Sequence, residues 1–144
     1  MTAPLKTMQF TIERTIPAAP GEVFDAWLDP KNPCNPWHDA AKLIHDPRVD
    51  GLFYFTHLMG DGTAIPHFGR FTVLDRAATI AHTWMSPYTR GLESVVTVTL
   101  RANGGDTLLS LTHANLPDDD WGSMHQDGWG GYVQKLSAQF PPRP

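Results

Sequence analysis

The sequence predicts an α+β fold of the helix-grip kind: a curved antiparallel sheet wrapped on a long C-terminal helix, with two short helices after the first strand. Three observations predict it. Residues 8–16 alternate in polarity with the period of a strand. From residue 41 onward, β-rich segments are separated by glycine-containing turns. The last long segment, "HQDGWGGYVQKL" at 125–136, returns to helical spacing. A sheet of this kind buries one face and needs a cover, and only the final helix is long enough to supply it.

In the first strand Phe10, Ile12, Arg14 and Ile16 oppose Thr11, Glu13 and Thr15, and Pro17 stops the run. Pro20 opens a short helix with Val23, Phe24, Trp27 and Leu28 on one face. Asp29-Pro30 ends that helix, and residues 31–38 read as a proline-broken turn or second short helix carrying Trp37. Segments 41–49, 52–58, 65–74, 79–86, 92–102 and 107–116 have strand length and composition. Asp50-Gly51, Gly60-Asp61-Gly62 and Asn103-Gly104-Gly105-Asp106 are hairpin-type turns between them. Ser123 and Gln126 have the spacing of a capping box, from which a helix of about sixteen residues would run about 24 Å. Residues 1–144 read as one domain with a core over about 8–140 and a proline-rich tail at 141–144.

Fifteen acidic residues against eleven basic ones leave no Lys/Arg block to follow a phosphate backbone, which argues against nucleic acid. No stretch has membrane-spanning length and the first ten residues lack a signal-like apolar run, so membrane insertion is not expected and the cytoplasm is. Cys34, the one cysteine, cannot form an internal disulfide. Cys34 and His38 offer metal-ligand chemistry, but no C-x2-C or H-E-x-x-H spacing accompanies them, so no metal is expected. No G-x-S-x-G occurs, no cofactor is called for, and no residue stands out as catalytic. The Asp118-Asp119-Asp120 run suits the positive end of the following helix.

Strand alternation assigns an inward face. Ile80, His82 and Trp84 share one side, as do Val96, Val98 and Leu100, and Leu109, Leu111 and His113. Phe53, Phe55 and His57 group together, and so do His67, Gly69, Phe71 and Val73. On the last helix His125, Trp129, Tyr132, Leu136 and Phe140 form a stripe; Gly128 flanks it, where a missing Cβ would permit close approach to the sheet. Gly130 and Gly131 fall outside it, and either a partner surface or a loose helix start would account for them. The expected site is therefore a cavity of about 300–1,000 Å³. Its walls would be Trp37, Phe55, Phe71, Trp84, Val96, Val98, Trp129 and Tyr132, with His57, His67, His82, His113 and His125 converging on it.

The segments "IPAAPGEVFDAWLDP", "FGRFTVLDRAATIAHTW", "SVVTVTLRANGGDTLLSLTH" and "HQDGWGGYVQKL", in that order, resemble the activator of heat-shock protein 90 ATPase homologue 1-like family, a branch of the START-like (SRPBCC) superfamily. The resemblance spans about residues 8–140 and implies the START-like, Bet v 1-like version of the fold, with a deep cavity between sheet and helix. One departure stands out: the family has two glycines before the aromatic strand, and here they are Asp50-Gly51. Members include hydrophobic-ligand binders, cyclases, hydrolases and activators of the chaperone's ATPase, so the fold does not choose among functions. The reading that follows is binding of a small apolar or aromatic molecule. Its rivals are a cyclase- or hydrolase-type enzyme using an inward histidine, and a protein working through a chaperone contact or a homodimer. Each cavity histidine has either a ligand-orienting or a purely structural role.

Overall fold

The computed structural model describes residues 6–37, 40 and 42–141. Seven strands form one antiparallel sheet: β1 (Thr7–Ile16), β2 (Lys42–His45), β3 (Leu52–Leu58), β4 (Ala64–Asp75), β5 (Thr79–Trp84), β6 (Ser94–Asn103) and β7 (Asp106–Pro117). Their order is β1-β7-β6-β5-β4-β3-β2. Strands β2 to β7 thus form a meander, and β1 closes the far edge against β7. Helix α1 (Pro20–Leu28) follows β1, a 3-10 turn (Pro87–Thr89) follows β5, and α2 (Asp120–Gln139) crosses the concave face. None of the described helices is long and apolar enough to cross a membrane.

Helix α1 starts where Pro20 pre-sets the backbone and the Glu22 carboxylate accepts the Ala19 amide at 3.1 Å. Its face of Val23, Phe24, Trp27 and Leu28 is buried, joined by Ala26. The second short helix does not form: residues 30–37 are turns. Pro33 and Pro36 supply no amide donors, and Asn35 takes over. Its side-chain amide donates to the Ala26 and Trp27 carbonyls at 2.9 and 3.2 Å, while its oxygen accepts the Trp37 amide at 2.8 Å. These bonds hold Trp37 in the core, where it is fully buried. His38 lies outside the described residues, as do Ala41, where the strand over 41–49 was expected to start, and 142–144 of the proline-rich tail. The observed β2 ends at His45, and Pro47 follows.

The turn before β3 shows how Asp50 replaces a glycine. Asp50 adopts φ 67°, the left-handed conformation that Asp tolerates better than most residues. Gly51 cannot be replaced in this way, because a Cβ there would collide with the Asp46 carbonyl oxygen. Strand alternation holds for β4 only as far as Phe71. The β4–β5 register shifts between Phe71 and Val73, so Val73 turns outward and is 43% exposed, while Leu74 packs on the core. Val73 therefore does not share the inward face of His67 and Phe71.

Helix α2 starts three residues earlier than Ser123. Asp119 is its cap, accepting the Gly122 amide at 3.0 Å and pairing with Arg90. The acidic run thus supplies the cap that Ser123 was expected to provide. Close approach to the sheet occurs at Gly122, where a Cβ would run into the Pro117 carbonyl oxygen. At Gly128, Gly130 and Gly131 it would meet nothing within 4 Å, so none of these glycines is required by packing. The buried stripe is His125, Trp129, Val133 and Leu136, with Tyr132 and Phe140 half-buried beside it.

Candidate ligand pocket

The grip closes around tryptophan. Trp37 lies edge-on to Trp27 and Trp129 at ring distances of 5.7 and 5.5 Å, and tilted against Phe55 and Tyr132 at 4.7 and 4.6 Å. Trp27 stacks on Trp129 at 6.0 Å, and Trp129 meets Trp84 at 4.9 Å. These rings occupy most of the space between sheet and helix. Beside them, near the start of α2, lies a pocket of about 140 Å³, smaller than the cavity expected from sequence.

Seven of the thirteen residues read from sequence surround this pocket: Phe55, His57, His67, Trp84, His125, Trp129 and Tyr132. Phe71, His82, Val96, Val98 and His113 are buried and do not line it. Trp37 instead lines a neighbouring hollow of about 270 Å³, together with Ala40, Thr56, Leu58 and Lys135. His57 and Tyr132 belong to both, and their hydrogen bond, 2.8 Å from Nδ1 to Oη, divides the two spaces. Four further lining residues are Met59, Tyr88, Met124 and Gly128. Met124 and Gly128 each precede a member of the His125–Trp129 stripe by one position, so a wider helical arc would have included them. Met59 and Tyr88 lie outside regular strands and helices, where periodicity carries no signal.

Hydrogen bonds determine the state of the inner histidines. Ser94 donates its hydroxyl proton to the Trp84 carbonyl at 2.6 Å, so its oxygen accepts the Nε2 proton of His113 at 2.8 Å. His113 Nδ1 then accepts the Trp129 indole proton at 2.9 Å. Both nitrogens are satisfied in the neutral ring. Burial, and then the nearby His125, His82 and His67, hold its pKa well below the ordinary histidine value. His82 donates from Nδ1 to the Thr83 carbonyl at 2.9 Å and stacks on Phe53 at 4.3 Å. Its Nε2 has no hydrogen-bond partner among the described residues, and burial pushes its pKa down to about 4.

The pocket histidines are arranged differently. His67 donates from Nδ1 to the Ile65 carbonyl at 3.1 Å and stacks on Phe55 at 4.6 Å. Burial lowers its pKa to about 3. His125 donates from Nδ1 to the Trp121 carbonyl, one helical turn back, at 2.8 Å, and burial lowers its pKa too. Among the described residues no group of three His, Cys, Asp or Glu is placed to hold a metal ion. Cys34 directs its thiol to the Gln139 carbonyl at 3.4 Å, and the His38 half of that pair lies outside the described residues.

Comparison with known proteins places this architecture. A protein of Chromobacterium violaceum superposes with a TM-score of 0.79 at 25% identity, over 94% of this chain and 98% of that one. One from Rhizobium loti gives 0.75 at 26% identity, over 96% and 100%. A Plasmodium falciparum protein described as an HSP90 activator gives 0.74 at 21% identity, over 91% and 94%, a likeness of fold. No functionally curated protein matches the sequence. The family model described as "Activator of Hsp90 ATPase homolog 1-like protein" matches residues 17–140, and the chain belongs to that family.

Proposed function

We propose that this protein binds a small aromatic or apolar molecule, about one ring in size, in the pocket between β3, β4, β5 and α2. The observation that carries the reading is the pocket itself: about 140 Å³, walled by Phe55, Trp84 and Trp129. An enclosed apolar cavity of about 150 Å³ is large enough to accept benzene. Gly128 supports it further. That glycine costs about 1 kcal/mol in a helix interior and relieves no clash with the protein, but a side chain there would project at the pocket.

At His67, binding is favoured over proton transfer because an acid–base group works best with a pKa near the working pH. His67, held down to about 3, is far from it. The test is titration with toluene, followed by tryptophan emission and by ligand-observed NMR. Saturable binding that is lost in Gly128→Leu is expected. Absence of saturation in the native protein overturns the reading.

A further inference from the structure

We propose that the pocket selects a ring bearing a hydrogen-bond donor, a phenol, whose single O–H is accepted by Nε2 of either His67 or His125. The inference rests on the reading of the pocket as a one-ring site and adds the chemistry of its occupant. A neutral imidazole carries one proton. In both residues Nδ1 faces a backbone carbonyl, Ile65 for His67 and Trp121 for His125, and a carbonyl only accepts. The proton therefore sits on Nδ1 in each, and each Nε2 is left with a lone pair. Neither Nε2 finds a hydrogen-bond partner among the described residues.

Both rings line the pocket, and both lie against Trp84, at centroid distances of 4.8 and 6.3 Å. They flank the same aromatic wall, one from β4 and one from α2. Burial keeps the two rings from taking up a second proton, which would turn acceptors into donors. These two nitrogens reward an O–H on the ligand and give nothing to an ether or carbonyl oxygen. Phenol, anisole and toluene have nearly the same ring and separate these cases.

The experiment measures the affinities of all three for the native protein at pH 7.5 by calorimetry or ligand-observed NMR, then repeats it with the double variant His67→Phe/His125→Phe. Phenol is expected to bind about tenfold tighter than anisole, the worth of one buried hydrogen bond. In the double variant the order should reverse in favour of anisole and toluene. Toluene binding with phenol no tighter than anisole overturns the donor preference and leaves the one-ring pocket standing. A phenol preference surviving in the double variant overturns the assignment to these histidines. Failure of all three compounds to saturate removes the pocket reading itself. The native-protein comparison stands alone if the double variant does not fold.

Discussion

The indole nitrogen of Trp129 donates to Nδ1 of His113 across 2.9 Å, tying the middle of α2 to the centre of β7. The chain continues through Ser94 to the Trp84 carbonyl, so one buried relay links the helix to β7, β6 and β5. Histidine here acts as a spacer that accepts on one side and donates on the other. No apolar residue replaces both functions.

His113→Phe is accordingly expected to cost about 1–3 kcal/mol, because it strands the Trp129 indole proton in the core. His82→Phe should cost less, since it removes one bond to the Thr83 carbonyl together with a buried nitrogen that has no partner among the described residues. Urea denaturation of both variants checks this. Equal costs for the two would show that the relay contributes nothing particular.

Five histidines, His45 and His125 included, are held below the ordinary pKa by burial and make the fold sensitive to acid; His67, His82 and His113 are the most enclosed of them. His67, His82 and His113 are buried with pKa values below that of the unfolded chain: about 3, about 4 and well below the ordinary value. Each therefore takes up a proton on unfolding. Their stabilisation is complete above the unfolded value of about 6.5 and is lost as pH falls through it toward the folded values. Below about pH 6.5 each contributes about 1.4 kcal/mol per pH unit, so these three alone should lower stability by about 4 kcal/mol between pH 7.5 and 5.5. A fall below about 1 kcal/mol, measured by denaturant titration at both pH values, would contradict the burial of these rings.

The glycines of α2 divide into two kinds. Gly130→Ala and Gly131→Ala should each stabilise by about 1 kcal/mol, raising the melting temperature by about 2–4 °C, because an added methyl meets open space. Gly122→Ala should destabilise, since its Cβ would strike the Pro117 carbonyl. Thermal melts of the three variants decide the matter. A stabilising Gly122→Ala would mean that the helix start can move away from β7.

Trp37 occupies the space that a larger ligand would need. Trp37→Ala should cost about 3–5 kcal/mol as a large-to-small core change. If the folded protein survives, it should bind naphthalene more tightly than the native protein does, because loss of the ring enlarges the hollow of about 270 Å³ beside the pocket. Naphthalene binding equally to native protein and variant would show that the tryptophans do not set the ligand size.

The order of elements and the inward faces of most strands are legible in the residues alone, because a strand's side chains alternate whatever it packs against. Phe53, Phe55, His82, Trp84 and His113 all fell inside on that ground alone. Alternation failed at Val73, where one bulged residue reverses the sides, and a bulge depends on the neighbouring strand. Capping was misread for a similar reason: Asp119 and Ser123 are both good caps locally, and docking of Gly122 on Pro117 chooses the first. Only the tertiary structure decided how much of the grip is empty. Trp37 comes from a turn held by Asn35, and nothing in its neighbours' spacing says that its ring would fill the cavity. The division of the histidines was likewise settled by distance. His113 finds a donor and an acceptor within 3 Å, while His67 and His125 each find one backbone carbonyl.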